Sequence, residues 1–356
     1  MEKNVKSMIK SILLSNIVPI VFFLLTLGAV LVAKIPPLFL ISEIVRRVSR
    51  NTFLVLALII PVVAGLGLNF AIVLGAMAAQ AALFFVVDWN ITGLNGILLA
   101  MVIASALSIF LGWLVGKTLN RAKGREMITS MILGFFANGV YQLIFLFFIG
   151  SLIPFSKKEI LLDQGVGLRN TVDLYGIVDG ALNNILVFNI KFINIYVVPI
   201  LIIVGLCLFI TFILKTKLGQ DFKAVGQDMH IARTAGIDVD KTRIIAVIYS
   251  TVLAAIGQII YLQDIGTINT YNSHEQIGLF SIAALLVGGA SVRKASIWNA
   301  IIGVILFHAL FIVAPSAGNK LFGQPQIGEF FREFIAYAVI AFALAMHGWR
   351  ARKARH

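Results

Sequence analysis

Long apolar runs constrain this chain more than any other feature. Residues 11–33, 51–88, 94–116, 127–153, 192–214, 244–263, 277–292, 295–314 and 333–349 are each apolar almost throughout. Each is close to or beyond the roughly 20 residues that a helix needs to cross about 30 Å of hydrocarbon. Inside a bilayer the backbone N–H and C=O groups have no water to bond, so runs of this kind fold as helices. Of the 356 residues, 60% are hydrophobic and 13% charged, against roughly 45–50% and about 25% in soluble domains. With a mean hydropathy of +0.98, a soluble enzyme is excluded. The expected fold class is an all-α polytopic membrane protein.

The run at 51–88 is too long for one crossing and contains Pro61, Gly65, Gly67 and Asn69, so a split near residues 66–69 is expected. That gives ten spans in a single permease-like membrane domain over 1–356. Spans two to five and seven to ten then start on opposite sides, as in an inverted repeat around a central pathway. An even count places both termini on one side. Counted this way, 19 of the 29 Lys and Arg and 6 of the 16 acidic residues fall on the side of the termini. The positive-inside rule assigns that side to the cytoplasm, and the +13 net charge becomes an orientation signal rather than a nucleic-acid surface. The first apolar run follows Lys3, Lys6 and Lys10 without a small-residue cleavage site and is expected to stay as the first helix. Arg46, Arg47 and Arg50 fall on the outer side in this scheme. Segment 34–50 is therefore expected to lie in the interface as an amphipathic helix. Residues 154–191, with Gly165, Gly167, Gly176 and Gly180, read as an external loop, and the basic stretch 215–243 as an internal one.

Catalytic chemistry has little to build on. The single cysteine, Cys207, lies in an apolar run, and the five histidines are scattered, so neither a disulfide within the chain nor a metal cluster is expected. Gly112-Trp113-Leu114-Val115-Gly116-Lys117-Thr118 is one residue short of a phosphate loop and ends a membrane helix. The chain is expected to hydrolyse no ATP, to bind no cofactor and to be no enzyme.

The internal loop reads Leu218-Gly219-Gln220-Asp221-Phe222-Lys223-Ala224-Val225-Gly226-Gln227-Asp228, then Met229-His230-Ile231-Ala232-Arg233-Thr234-Ala235-Gly236-Ile237-Asp238. Gly236 stands where a helix C-cap falls, and Asp238 where the next helix starts. Small residues at 232, 235 and 236 leave room for another surface. By itself the loop is either a docking helix or a solvated connection. The run from Val225 to Ile237 resembles the cytoplasmic loop of the branched-chain amino acid, ribose-type sugar and nucleoside permeases of bacterial ABC importers. Ala283-Ala284-Leu285-Leu286-Val287-Gly288-Gly289-Ala290 and Ile301-Ile302-Gly303 resemble the Gly-Gly segment of that family and its following helix. The resemblance covers about residues 50–345. Ala64-Gly65-Leu66-Gly67-Leu68-Asn69-Phe70-Ala71 is nearer the version in nucleoside and amino-acid members than that in sugar members. After the Gly-Gly pair comes Ser291-Val292-Arg293-Lys294 in place of a glycine-rich turn.

The resemblance implies a translocation subunit in the bacterial inner membrane. It implies ABC ATPase subunits that use the ATP, a second permease chain, identical or homologous, and an extracytoplasmic solute-binding protein. Gly226, Gln227, Asp228, Ala232, Ala235 and Gly236 would then form the coupling helix that rests on the ATPase. The implied solute is a sugar or nucleoside, with a branched-chain amino acid as the alternative.

Polar residues inside apolar runs need a reason, because a charge at mid-bilayer costs about 2.5–3.5 kcal/mol on insertion scales. Asn69, Gln80, Asn138, Gln142 and Gln258 interrupt such runs, and neutral amides suit an uncharged polar solute. They line a pathway or bond helix to helix. Gln263, Asp264, Asn269, Asn272, His274 and Glu275 cluster between two spans, with Gln263, Asn269 and Asn272 as candidates for an outer gate. An ion-coupled transporter would need carboxylates within spans, and none of the 16 acidic residues falls mid-span in this assignment.

Overall fold

The computed structural model describes residues 17–190 and 193–353. Its helices are α1 (Ile17–Ala33), α2 (Pro37–Leu56), α3 (Ile59–Val63), α4 (Ile72–Asp88), α5 (Gly93–Arg121) and α6 (Glu126–Leu143), which runs into a π turn at Ile144–Phe148. They continue with α7 (Val197–Lys215), α8 (Lys217–Gln227), α9 (Met229–Thr234), α10 (Val239–Ile265), α11 (Glu275–Val287), α12 (Ile297–Phe322) and α13 (Pro325–Lys353). A 3-10 turn at Lys158–Ile160 and four short strands, β1 (Thr171–Asp173), β2 (Val187–Ile190), β3 (Ile193–Tyr196) and β4 (Thr267–Asn269), complete the described chain. Among the described residues, five helices are long and apolar enough to cross a membrane: α5, α6 with its π turn, α7, α10 and α12; α1, α4 and α11 are shorter apolar helices. This is an all-α polytopic membrane protein. The expected start of the first run, residues 11–16, lies outside the described residues.

Two boundaries differ from the sequence reading. The expected division between an interfacial segment ending at 50 and a span beginning at 51 is absent, because α2 runs unbroken from Pro37 to Leu56. Nothing between those residues breaks a helix, and Arg50 finds a partner: its Nη1 donates to Asp264 Oδ2 at 2.8 Å, with both side chains largely buried. The 51–88 run is interrupted twice, after Leu56 and again across 64–71, before α4 begins.

The chain forms two compact units. The larger comprises Ser49–Phe188 and Tyr196–Leu279, and its centre is the pairing of α5 with α10. A Cβ added to Gly112 would lie 2.9 Å from Ile248 Cα, and one added to Gly116 the same distance from Ile244 Cα. The two glycines that mimic a phosphate loop in sequence are thus a small-xxx-small face that lets two backbones approach. Asp238 caps α10 by accepting from Lys241 N at 3.0 Å. Elsewhere in this unit, α7 buries Pro199, Ile203, Leu206, Ile210 and Ile213 and exposes Leu201, Val204, Leu208 and Phe212, one face to protein and one suited to lipid. The 154–191 connection meets α10's exit through antiparallel pairing of β1 with β4, Thr171 opposite Asn269.

The smaller unit comprises the chain up to Val48, Asn189–Ile195 and everything from Phe280 on. There α1 packs on α12 through Ala33, Val313 and Ala317. The Gly-Gly pair divides two tasks. Gly289, at φ +87°, ends α11 in a left-handed cap, its N–H bonding Leu286 O at 2.9 Å while Ala290 N bonds Leu285 O at 3.2 Å. Gly288 instead faces α12, where an added Cβ would run into Asn299 O and lie 2.8 Å from Gly303 N. Ser291 closes the following turn, its Oγ accepting from Lys294 N at 3.1 Å, so no glycine-rich turn is needed. Gly303→Ala would drive a methyl into the Ala284 carbonyl, an overpacking of about 1–3 kcal/mol. A lower thermal midpoint of the purified protein is expected; an unchanged one would mean that α11 and α12 separate freely.

Candidate functional site

Two places in the larger unit gather the residues of functional interest. The first is the helical hairpin over 217–238. Thr216 Oγ1 accepts from Gly219 N at 3.4 Å to start α8, and Lys223 Nζ donates to Leu214 O at 2.9 Å, closing the end of α7. Asp228 then starts α9, accepting from His230 N at 2.7 Å and Ile231 N at 3.0 Å. The Ile231 and His230 N–H groups hold the Asp228 carboxyl below its usual pKa. At the far end Gly236, φ +84°, donates to Arg233 O and Ile237 N donates to Ala232 O, both at 3.0 Å, which is a complete Schellman cap. The hairpin closes on a small core of Val225, Ala232 and Val239, with Ala224, Met229 and Ile237 around it.

That core sorts the six candidates for coupling. Gln227, Asp228, Ala235 and Gly236 are exposed, whereas Ala232 is buried and faces its own hairpin. Gly226 is pressed against Val63 and Gly65. The outward face also carries Ile231, 65% exposed, between His230 and Arg233. The sequence reading missed Ile231. An apolar residue held outward on a capped six-residue helix is the signal that identifies it.

Beneath the hairpin lies a buried ion pair. Arg243 is fully buried; its Nη2 donates to Glu126 Oε1 at 2.6 Å and its Nη1 lies 2.8 Å from Met229 Sδ. One guanidinium thus ties the first residue of α9 to the first residue of α6. Around it, Lys123 pairs with Asp240 at 2.5 Å, and Asn120 Nδ2 donates to Asp240 O at 2.8 Å.

The second place is a cluster of amides. Gln80 on α4 is fully buried, and its Oε1 accepts from the Tyr141 hydroxyl at 2.9 Å. The same oxygen lies 2.8 Å from His274 Nδ1, and His274 Nε2 lies 2.8 Å from Asn138 Oδ1. Asn138 Nδ2 donates to Glu275 Oε1, and Gln142 Nε2 reaches Asn138 Oδ1 at 3.5 Å. Gln258 Nε2 bonds the neighbouring Ser273 O at 3.4 Å. Three of the five candidates for the pathway, Gln80, Asn138 and Gln142, together with His274 and Glu275, therefore join one network that runs from buried Gln80 to exposed Glu275, and Gln258 bonds the main chain beside it. Tyr141 belongs to it and carried no sequence signal beyond being an aromatic in an apolar run. Among the described residues, two buried amide atoms of this cluster, Gln80 Nε2 and Gln258 Oε1, have no hydrogen-bond partner, and such groups cost about 1–3 kcal/mol when left unmade.

Asn69 stands apart from that network. Its Oδ1 accepts from Ala71 N at 3.1 Å and opens the turn into α4, while Phe70 N donates to Ser130 Oγ on α6 at 3.1 Å. Of the gate candidates, Gln263 is buried, its Nε2 donating to Asn183 Oδ1 at 2.9 Å; Asn183 in turn donates to Asp264 at 2.7 Å. Asn269 lies in β4 and accepts from Asn272 N at 3.2 Å, and Asn272 is exposed. Gln263 is thus separated from the Asn269–Asn272 pair and joins the Arg50–Asp264 ion pair.

Comparison with known proteins adds a direct result. The family model described as "Branched-chain amino acid transport system / permease component" matches residues 40–344. Over 129 residues the chain is 30% identical to the autoinducer 2 import system permease protein LsrC of Photorhabdus luminescens, covering 36% of this chain and 38% of that one. Over 115 residues it is 30% identical to the xylose transport system permease protein XylH of Haemophilus influenzae, covering 32% and 30%. It is 28% identical over 134 residues to the nucleoside ABC transporter permease protein NupC of Lactococcus lactis, covering 37% and 40%. These matches span less than half the length of each relative. No solved structure matches the chain.

Proposed function

The chain belongs to the branched-chain amino acid transport system permease family, and on that premise we propose that it is the membrane-spanning subunit of an ABC importer for a small polar solute, a sugar or nucleoside. The relatives named for autoinducer 2, xylose and nucleosides support that class of solute. So do the neutral amides of the Gln80–His274–Asn138 network, which offer donors and acceptors without net charge. A separate ATPase drives the cycle, and a second permease chain and an extracytoplasmic binding protein complete the assembly. Both termini and the 217–238 hairpin face the cytoplasm, where most of the basic residues lie.

The observation that carries this reading is the exposed face of α9. Asp228 and Gly236 cap both ends of a six-residue helix, its buried side rests on Val225 and Val239, and Ile231 projects outward. A short helix with its own core, presented beyond the spans, suits a groove in an ATPase. Closure of that groove on nucleotide binding then moves the hairpin as one body. Ile231→Asp tests this, since it places a charge where an apolar anchor docks and leaves the fold beneath untouched. The expected result is loss of the ATPase from the affinity-purified permease, by at least tenfold, at unchanged permease yield. An ATPase retained at wild-type stoichiometry would refute docking through α9.

A further inference from the structure

Gly226 and Gly65 meet backbone to backbone. A Cβ added to Gly226 would run into Val63 O and lie 3.1 Å from Gly65 N; one added to Gly65 would lie 2.8 Å from Gly226 Cα. The last turn of α8 therefore bears directly on the point where α3 ends and the irregular stretch 64–71 begins. Gly65 stands at φ +74° and Gly67 at +72°, conformations that glycine adopts without steric cost. Gly65 N bonds Val62 O at 3.2 Å and Leu66 N bonds Pro61 O at 3.0 Å, so α3 ends in a cap of the same kind as α9.

From this joint the stretch 64–71 leads into the spans. Asn69 turns it into α4, and Phe70 N is held by Ser130 on α6. The Phe70 carbonyl is the nearest atom to a Cβ placed on Gly134 of α6, at 3.7 Å, and lies 3.6 Å from one placed on Gly278 of α11. One short segment without regular hydrogen bonding is thus in contact with α8 at one end and with α4, α6 and α11 at the other.

We infer that the Gly65–Gly226 contact is the joint through which displacement of the 217–238 hairpin reaches the broken helix at 64–71, with Asn69 as the group it moves. The inference rests on the coupling role proposed above. A contact between two backbones with no side chain between them cannot be absorbed by a rotamer change, so movement of α8 by an ångström shifts Gly65 by a comparable amount. The two left-handed glycines let the stretch re-form at the far end of that shift while α4 stays helical. The hairpin's other polar ties, Met229 to Arg243 and Arg233 to Asp240, lead through the Arg243–Glu126 and Lys123–Asp240 pairs to the α5–α6 turn instead.

Gly226→Ala isolates the joint. Alanine is the better helix former, so α8 itself is preserved and only a methyl is added at the contact. In proteoliposomes holding the permease with its ATPase and binding protein, uptake per ATP hydrolysed is expected to fall at least tenfold, with the ATPase still co-purifying. A wild-type ratio in that variant overturns the inference. A second measurement leaves Gly226 in place: in a Cys207→Ala background, Asn69→Cys is alkylated with and without trapped nucleotide. Asn69 is 1% exposed here, and at least a tenfold difference in labelling rate between the two states is expected. Equal rates overturn the inference even if Gly226→Ala fails to reach the membrane. Failure of the coupling role itself reads differently, as an ATPase that stays bound to the Ile231→Asp protein.

Discussion

Replacing Glu126 with alanine is expected to lower the stability of the purified permease by about 3–5 kcal/mol, the usual cost of removing one partner of a buried ion pair. Arg243 is completely buried, and its only carboxylate partner among the described residues is Glu126, at 2.6 Å. Without that carboxylate the guanidinium keeps its charge, since arginine does not deprotonate in proteins. It would be left against Met229 Sδ with no carboxylate hydrogen-bonded to it. The double variant Glu126→Leu/Arg243→Met removes both charges and should recover most of the loss, because a well-packed apolar pair often matches a buried ionic one. Denaturant midpoints of the two variants in one detergent make the comparison. A Glu126→Ala midpoint equal to wild type would show that Arg243 reaches solvent and that the pair does not anchor the hairpin.

Gly236→Ile is expected to abolish uptake while the protein remains in the membrane. The Schellman cap needs a left-handed residue at 236, and for an L-residue that conformation costs about 1–2 kcal/mol, more for a β-branched side chain. A Cβ at 236 meets no atom within 4 Å, so the damage is conformational within the chain, together with lost clearance for the docked partner. Relaxing the cap frees the Ala232 and Arg233 carbonyls and pulls Ile237 off the Val225–Ala232 core, which tilts α9 and its Ile231. Gly236→Asn separates the effects, since asparagine tolerates the left-handed region; it should keep α9 in place and preserve a substantial part of uptake. Unchanged uptake by Gly236→Ile would remove α9 from the coupling path.

These two variants also mark what could be read from the sequence. Gly236 and Asp238 announced themselves, because caps depend on residue type within a few positions of a helix end. The break before Asn69 was legible for the same reason, from Pro61, Gly65 and Gly67 in an otherwise apolar run. The apolar runs themselves gave the all-α class, since hydrocarbon length and backbone satisfaction leave few alternatives. What stayed hidden depends on contact across long separations. Arg243 and Glu126 lie 117 positions apart, Arg50 and Asp264 lie 214 apart, and His274 and Gln80 lie 194 apart. No local period couples such positions. The direction of Ala232 was misjudged because a small residue fits a docking face and a tight core equally well. The interfacial segment was set apart because its arginines looked stranded; Arg50 is paired with a carboxylate more than two hundred residues away.

As proposed, this permease-family chain would work as one part of an ATP-driven importer, held to its ATPase through α9. Affinity purification of the tagged protein from its native membrane in a mild detergent, with mass spectrometry of the co-purifying proteins, tests it most directly. Recovery of an ABC ATPase and a solute-binding protein with the wild-type chain, and loss of the ATPase with Ile231→Asp, is the expected result. A chain that comes through alone in several detergents would contradict it and would point to a transporter that works without an ATPase.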